Sequence, residues 1–336
     1  MATRKFKALT LDVVAKCAFA LSSDCQNNVR DPFLLHSRNY FDEMPSPERS
    51  ILMRISVVFP ELATYCCDLY TKTSTSGQSE MWLFDRLSEV IDRRATKQNK
   101  DEQVDMIKLL LDRSKTNFNI SNERRKLNFQ QVANNCFAFL LAGYETTSTA
   151  LAFTAWLLAK HQQQQERLFD ELADNLRNVK RKDFYNIVME LPYLDAVFHE
   201  VLRLYPPITF FVNRTCTKHC TIEGIEFQPG VQVGVPIWNI HRDDKIWPEP
   251  NAFRPERFYK RKDYHPMAWL PFGAGPRSCI GARFAAMEYK ATIARLLLRF
   301  KLALGPTSED PLPIRNSTAM LSTDQVNVCL ERRQLQ

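Results

Sequence analysis

The longest predicted helical segment runs from Asn128 to His161 without a proline, and it limits the chain to folds that can house one very long helix. As a single α-helix this segment would extend about 50 Å. Asn128 belongs to the residue types that cap helix N-termini well. The apolar middle also permits a membrane span, but Glu145 falls there, and a carboxylate at a bilayer centre costs several kcal/mol. We therefore predict a long buried helix, with the membrane span as the alternative.

The rest of the pattern predicts a mainly α chain with a small β region. Helical spacing of apolar residues is found in residues 3–22, 80–97, 103–113, 161–176, 192–207 and 282–300. The polar segment 71–80 is predicted to be a linker. Alternating residues with turns at Glu223-Gly224 and Pro229-Gly230 predict strand hairpins. Segment 31–70 is interrupted by prolines and is apolar enough to contact a membrane surface, although core packing explains it equally well.

The formal net charge of +7 is spread over short clusters such as Lys180-Arg181-Lys182. No long basic run is found, so we expect no nucleic-acid binding. Solvated faces are the simplest explanation of the clusters. An acidic protein partner and an anionic membrane surface are the alternatives.

The nine cysteines are odd in number and lack the spacing of a disulfide framework. They predict reduced thiols in a protein that faces the cytosol. Cys216, His219 and Cys220 could suggest zinc, but no second ligand pair follows at finger-like spacing. We therefore expect no zinc site there.

Glycine is scarce in this chain, yet three of the nine glycines, Gly273, Gly275 and Gly281, lie in the segment PFGAGPRSCIGARF around Cys279. Glycine permits positive φ and close backbone approach to a bulky group. Cys279 precedes an apolar helix, whose N-terminal amides stabilise a thiolate. Arg277 stands ready to pair with an anionic group. A buried structural cysteine is the alternative, but a thiolate in such a loop is a strong electron donor to iron.

This segment resembles the pattern F-x-x-G-x-R-x-C-x-G of the cytochrome P-450 superfamily of haem-thiolate monooxygenases. It matches at Phe272, Gly275, Arg277, Cys279 and Gly281. The resemblance implies the cytochrome P-450 fold and a haem b (iron protoporphyrin IX) cofactor, with Cys279 as the axial ligand of the iron. The expected haem-binding residues are Phe272, Gly273, Arg277, Gly281 and Arg214.

Two further motifs of the family occur in the expected order. Glu200-Val201-Leu202-Arg203 matches E-x-x-R, and Pro255-Glu256-Arg257-Phe258 resembles P-E-R-F. Alone, Glu and Arg at i,i+3 usually form an exposed pair on a helix. In the family the corresponding residues form a buried network, which implies that Glu200, Arg203 and Arg257 meet and hold the cysteine loop in register.

The segment Ala142-Gly143-Tyr144-Glu145-Thr146-Thr147 resembles the oxygen-binding stretch of the family's long helix. Gly143 would leave room for a diatomic ligand. Glu145 and Thr146 would be catalytic, because a carboxylate and a hydroxyl can relay protons. A helix kink with satisfied polar groups is the structural alternative.

Arg214 aligns with a family arginine that pairs with a haem propionate, although a cation at a strand end is the plainer explanation. In the family, the segment that corresponds to Pro206–Val212 lines the pocket above the haem. Phe210 and Phe211 would there suit an apolar substrate.

The resemblance extends from about residue 3 to the C-terminus, and it favours the microsomal drug-metabolising branch. Residues 1–336 are expected to form one catalytic core that corresponds to the C-terminal two thirds of the usual domain. Compared with the family, the sequence lacks the N-terminal anchor, the first strands and the substrate loop, so the resemblance implies an N-terminally truncated member. By resemblance, the protein is expected at the endoplasmic reticulum membrane, on its cytosolic face and without the anchor.

The implied reaction inserts one atom of O2 into an apolar small molecule. Electrons would come from NADPH through NADPH-cytochrome P-450 reductase, since the chain has no glycine fingerprint for a dinucleotide. Two alternatives stay open. One is a haem-thiolate isomerase that rearranges peroxides, and the other is a truncated product without catalytic activity.

Overall fold

Helices dominate the described part of the chain, and the strands are short, which confirms the mainly α prediction with a small β region. The computed structural model describes residues 2–44, 50–96, 104–115, 127–210, 214–259, 264–316, 320–323 and 325–334. The chain divides into two compact units. Lys7–Glu145 form one unit, and Met1–Phe6 with Thr146–Gln336 form the other.

The unit Lys7–Glu145 is helical throughout its described elements. These are α1 (Ala2–Phe19, which begins in the other unit), α2 (Pro32–Asp42), α3 (Ile51–Val58), a 3-10 turn (Pro60–Leu62), α4 (Ala63–Thr73), α5 (Thr75–Thr96), α6 (Met106–Lys115) and the first half of α7 (Phe129–Lys160). The predicted helix over residues 3–22 corresponds to α1. The proline-broken segment 31–70 contains α2, α3 and α4. Pro32 begins α2 and Pro60 begins the 3-10 turn between α3 and α4, as the missing N–H and fixed φ of proline favour. Pro45 and Pro47 lie outside the described residues.

The prediction of a linker over residues 71–80 is wrong, because α4 and α5 are separated there by Ser74 alone. The Ser74 hydroxyl accepts the Gly77 N–H at 3.0 Å and thereby caps α5. A Cβ at Gly77 would lie 2.3 Å from the Thr71 backbone, so glycine allows the two helices to meet closely. The polar residues of this segment therefore serve as a cap and as packing positions between helices.

Helix α7 confirms the predicted long helix over 32 residues. Its start is a reciprocal cap: the Gln131 N–H donates to Asn128 Oδ1 at 2.8 Å, and the Asn128 N–H donates to Gln131 Oε1 at 2.9 Å. Every residue from 147 to 159 is buried, which is the pattern of a central core helix. Within the described residues, no helix has both the length and the apolar character that crossing a membrane requires.

The unit that contains the C-terminus holds the remaining helices and all described strands. The helices are the second half of α7, α8 (Gln162–Leu176), α9 (Phe184–Glu190), α10 (Pro192–Leu204), α11 (Ile237–Ile240) and α12 (Ala282–Arg299), with 3-10 turns at Pro255–Arg257, Pro266–Ala268 and Gly275–Arg277. Helix α9 was not predicted. Helices α8, α10 and α12 occupy the predicted segments.

The described strands form four two-stranded antiparallel sheets. The strands are β1 (Arg214–Thr215), β2 (Cys220–Ile222), β3 (Ile225–Phe227), β4 (Gln232–Val233), β5 (Phe300–Ala303), β6 (Arg315–Asn316), β7 (Leu321–Ser322) and β8 (Cys329–Arg332). Strands β2 and β3 form the predicted hairpin, and its turn residues Glu223 and Gly224 both have positive φ, 49° and 78°. After the Pro229-Gly230 turn, β4 pairs with β1 rather than with β3.

Candidate functional site

The cysteine loop before α12 is shaped by two glycines with positive φ. Gly273 has φ 69° and Gly275 has φ 74°, a region that is unfavourable for residues with a Cβ. The Cys279 N–H donates to the Phe272 carbonyl at 2.8 Å, and the Ser278 N–H donates to the Gly275 carbonyl at 3.0 Å. The loop is therefore closed by its own backbone bonds, and its side chains are left for other contacts.

Cys279 lies on the surface of the loop, directly before the first turn of α12. Its side chain is exposed, which excludes the alternative of a buried structural cysteine. The N-cap position of α12 is Gly281, and no side chain caps the helix there. The first amides of α12 thus have no side-chain acceptor at the cap, and such amides favour an anion nearby. Ile280, next to the cysteine, is 85% exposed.

The residues of the loop fit the haem that the resemblance implies. A Cβ added at Gly281 would meet no atom within 4 Å, so the backbone beside the thiol is open to a flat ligand. A thiolate is a soft ligand that suits iron. Arg277 is exposed two residues before the thiol, and Arg214 Nη2 donates to the Ala274 carbonyl at 3.1 Å. These two guanidinium groups supply the positive charge that haem carboxylates require.

Phe272 and Gly273 occupy the base of the loop. The Phe272 ring lies 6.1 Å from the Phe198 ring and 6.2 Å from the Trp269 ring, centroid to centroid. These distances fit aromatic packing. Phe272 therefore connects the loop to α10, on which Phe198 lies, while it remains half-buried.

The structure brings Glu200, Arg203 and Arg257 together. Arg203 binds Glu200 through two bonds, Nε to Oε2 at 2.7 Å and Nη2 to Oε1 at 2.9 Å. Arg257 Nε lies 3.4 Å from Glu200 Oε1. The side chains of Glu200 and Arg203 are both 0% exposed, which excludes the alternative of an exposed surface pair.

Backbone groups form the remaining hydrogen bonds of Glu200 and Arg203. Arg203 Nη1 donates to the carbonyls of His241 and Pro250, both at 2.8 Å, and the Arg254 N–H donates to Glu200 Oε1 at 2.9 Å. Burial raises the pKa of Glu200, whereas the bonds from Arg203 and from the Arg254 amide favour the charged carboxylate. A buried ion pair is tolerated only with such additional bonds. The network therefore ties α10 to the segment that precedes the cysteine loop.

His241 joins this network to the cysteine loop, and the sequence analysis did not single it out. Its side chain is fully buried; Nδ1 lies 3.2 Å from the Arg203 carbonyl, and Nε2 accepts the Leu270 N–H at 2.8 Å. Burial lowers the pKa of His241 to about 3, so the ring is neutral and Nδ1 donates. The Leu270 carbonyl in turn accepts the Gly273 N–H at 3.0 Å. Because its partners are backbone atoms, no residue pattern could have revealed the role of His241.

The middle of α7 corrects one prediction. The space at Gly143 is not free for a diatomic ligand on its Cβ side, because a Cβ there would lie 2.6 Å from Val14 Cγ2 of α1. Glu145 is 2% exposed and lies 3.0 Å from Lys7 Nζ. The Thr10 hydroxyl donates to the Tyr144 carbonyl at 2.9 Å. Three groups of this segment therefore contact α1: Gly143, the Tyr144 carbonyl and the Glu145 carboxylate. The next residue, Thr146, is half-buried.

The predicted substrate-facing residues are only partly described. Phe210 is 44% exposed and forms an isolated bridge with Pro236, while Phe211 lies outside the described residues. At the other sequence candidate for ligand binding, Cys216 Sγ and Cys220 Sγ are 3.9 Å apart. In the described part of the chain, no group of three or more His, Cys, Asp or Glu side chains is arranged to hold a metal ion.

The chain is similar to known proteins over most of its length. The family model described as Cytochrome P450 matches residues 2–330. Cytochrome P450 3A14 of Cavia porcellus is 36% identical over 322 residues, which cover 94% of this chain and 61% of the relative. Cytochrome P450 3A29 of Sus scrofa is 33% identical over 333 residues (97% and 63%), and cytochrome P450 3A5 of Homo sapiens is 32% identical over 332 residues (97% and 63%). The chain thus spans about three fifths of the length of these relatives.

Proposed function

Because the chain belongs to the cytochrome P450 family, we propose that it binds haem b and acts as a monooxygenase that inserts one atom of O2 into an apolar small molecule. The observation that supports this most directly is the exposed Cys279 thiol, presented on a glycine-shaped loop at the start of α12. When bound, a haem with a thiolate ligand supplies the activation of oxygen. The protein contributes the ligand, the orientation of the cofactor and the path for protons.

Several residues at or near the loop have a proposed role in binding the cofactor. Cys279 would ligate the haem iron, while Arg277 and Arg214 would pair with the two carboxylates. Gly273 and Gly281 would allow the backbone to approach the ring closely, and Phe272 would pack against it. The bond from Arg214 to the Ala274 carbonyl supports this assignment, since it already places that guanidinium at the loop.

Glu145 and Thr146 are proposed to hold and relay protons that enter from solvent. Lys7 supports this assignment, because its side chain is 13% exposed and its ammonium contacts the Glu145 carboxylate, whose side chain is 3% exposed. Lys7 and Glu145 thus connect the protein surface to a buried carboxylate, and Thr146 is the next residue of α7. A carboxylate and a hydroxyl placed in this way can act as general acid and relay.

The ligand assignment is tested by the absorption spectrum of the reduced, carbon-monoxide-bound protein after addition of haem. We expect the strongly red-shifted Soret band of thiolate ligation in the unaltered chain. Cys279→Ser should abolish this band, whereas Cys329→Ser, which alters another exposed cysteine, should retain it. A band typical of histidine or neutral-thiol ligation in the unaltered chain would contradict the proposal, and no bound haem at all would favour a product without catalytic activity.

The electron source is proposed to be NADPH, through NADPH-cytochrome P450 reductase. The cluster Lys180-Arg181-Lys182 supports a docking face for an acidic partner, because all three residues are exposed. Substrate oxidation that requires both NADPH and the reductase, and that weakens with salt, is the expected outcome. Peroxide rearrangement without NADPH would instead support the isomerase.

The protein is further proposed to act at the cytosolic face of the endoplasmic reticulum membrane, in peripheral contact with it. Helices α3 and α4 expose large apolar side chains, among them Ile51 (72%), Val57 (65%), Val58 (67%) and Tyr65 (72%). Such a group of exposed apolar residues is unusual for a surface that faces only water. Co-sedimentation with anionic liposomes should fall in the double variant Val57→Ser, Val58→Ser and stay unchanged in Val29→Ser, which alters another exposed valine. Equal binding of all three proteins would exclude this contact surface.

A further inference from the structure

We propose that Cys216 and Cys220, which lie at the two ends of the connection between β1 and β2, form a reversible disulfide. The two Sγ atoms are 3.9 Å apart, with Cys216 half-buried and Cys220 exposed. A disulfide needs the sulfurs to approach to about 2.0 Å. The required movement is therefore small.

The strands on either side hold the two cysteines close together. The Cys216 N–H donates to the Val231 carbonyl at 2.8 Å, and the Cys216 carbonyl accepts the Gly230 N–H at 2.8 Å. Cys220 is the first residue of β2 and is paired with Phe227 of β3. The two backbones are therefore fixed by separate antiparallel pairs.

The Cys216 sulfur already points toward the β2–β3 hairpin. Its Sγ lies 2.9 Å from the Lys218 carbonyl and 3.6 Å from the Phe227 carbonyl, the residue paired with Cys220. Residues 217–219, between the two cysteines, belong to no strand or helix, so they can adjust when the bond closes. Side-chain rotation with a local change in this connection is enough to bring the sulfurs into bonding distance.

Glutathione disulfide is a suitable oxidant, and the exchange balances in two steps. One cysteine thiolate attacks glutathione disulfide, which forms a mixed disulfide and releases one glutathione thiolate. The second cysteine thiolate then attacks the protein sulfur of the mixed disulfide, which forms the Cys216–Cys220 bond and releases the second glutathione. The two thiol protons pass to water or to the released glutathione, and the protein loses two electrons to the oxidant.

The position of this pair gives the modification structural consequences. Cys216 follows β1, and β1 begins with Arg214, whose Nη2 donates to the Ala274 carbonyl of the cysteine loop. The proposed disulfide therefore lies two residues from a side chain that contacts this loop. By contrast, Cys25, Cys66 and Cys136 are buried and protected from a bulky oxidant.

The experiment uses the full chain, equilibrated in glutathione buffers of graded redox poise, quenched with an alkylating reagent and digested with trypsin. Cleavage after Lys218 separates the two cysteines, so a disulfide appears as two peptides joined through sulfur. We expect this joined pair to accumulate with oxidation and to disappear after treatment with dithiothreitol. The equilibrium constant for forming the Cys216–Cys220 disulfide with glutathione disulfide should be at least about tenfold larger in the native chain than in the chain unfolded by guanidinium.

Matched variants separate this outcome from general thiol oxidation. Cys220→Ser should remove the joined pair and leave Cys216 as a glutathione adduct, whereas Cys329→Ser should leave the joined pair unchanged. Separate glutathione adducts on Cys216 and Cys220 in the native chain would overturn the proposal. An equilibrium constant no larger in the native chain than in guanidinium would also overturn it, because the fold would then contribute nothing to the pairing. None of these measurements depends on haem or on catalysis, so a failure of the proposed function would leave the result readable.

Discussion

The network around Glu200 and the segment from Cys279 into α12 belong to the same unit. The two regions differ in how their polar side chains are buried and hydrogen-bonded. In the network, Glu200 and Arg203 are fully buried, and each is bound both by the other and by backbone groups. In the loop, Cys279 and Arg277 are exposed, and the chain is held by bonds between backbone groups. Further along α12, Glu288 is 5% exposed, and neither of its oxygens has a hydrogen-bond partner among the described residues.

This difference indicates which polar side chains contribute to folding and which are left for ligands. A buried charge must be paired, so the network cannot change without a large loss of stability. The exposed thiol contributes little to the fold, because its loop is closed without it. A rigid buried network in the same unit as an accessible thiol is the arrangement that the proposed positioning of a cofactor would require.

Substitution of Glu200 is expected to have the largest effect. Glu200→Gln leaves the buried Arg203 guanidinium without its counter-charge, which should lower the free energy of unfolding by about 3–5 kcal/mol. Asp68→Asn is the control, because Asp68 forms an exposed pair with Lys72 at the comparable spacing i,i+4, and its loss should cost no more than about 0.5 kcal/mol. Urea unfolding of both variants measures the difference. Similar losses would show that burial does not distinguish the two pairs.

Substitution of Glu288 is expected to raise the free energy of unfolding rather than lower it. The buried carboxyl group has no hydrogen-bond partner among the described residues to offset its burial. Burial raises the pKa of Glu288 from 4.5 to about 8. The unfolded chain therefore releases this proton first, so the contribution of Glu288 to stability is greatest below pH 4.5 and is lost as the pH rises from there to 8. Glu288→Gln should remove this dependence and raise the free energy of unfolding by up to about 3 kcal/mol at pH 7.

The measurement is a series of urea titrations between pH 5 and pH 8, in which the gain from Glu288→Gln should increase with pH. Glu331→Gln, at an exposed position of β8, should show no such increase. A gain from Glu288→Gln that is the same at every pH would mean that the carboxyl group does not titrate in the way its burial predicts.

The smallest effect on stability is expected at the proposed iron ligand. In the chain without haem, Cys279→Ser should change the free energy of unfolding by no more than about 0.5 kcal/mol, because the side chain is exposed. The same substitution at Cys25, which is 0% exposed, should cost about 1–3 kcal/mol, because it buries a hydroxyl. Urea unfolding of the two variants gives this comparison. A loss at Cys279 as large as at Cys25 would show that the thiol supports the loop itself.

Sequence reasoning succeeded where the cause of structure is local. The start of α7 was predicted from Asn128, and the observed cap joins that residue to Gln131, three positions away. The contact between Glu200 and Arg203 follows from i,i+3 spacing on one helix, and the positive φ of Gly273 and Gly275 follows from the freedom of glycine. In each of these cases, the partners lie within a few residues of one another.

It failed where the partner lies far along the chain. Segment 71–80 is polar and suggested a linker, but Ser76 donates to the Tyr40 carbonyl at 3.0 Å, and this contact is invisible to a local pattern. The open space expected at Gly143 is filled by Val14. His241 was overlooked because it acts through the backbone of Arg203 and Leu270.

The amino-acid sequence by itself determined the family, the long helix and the glycine-shaped loop that presents Cys279. Each is encoded by neighbouring residues, whose spacing and conformational limits do not depend on the rest of the chain. The tertiary structure alone decided which polar groups are buried and which of them are paired, as at Glu200 and Glu288. Burial and pairing are set by side chains and carbonyl groups that meet only after folding, and the free energy of a charge depends on those surroundings more than on its own position in the sequence.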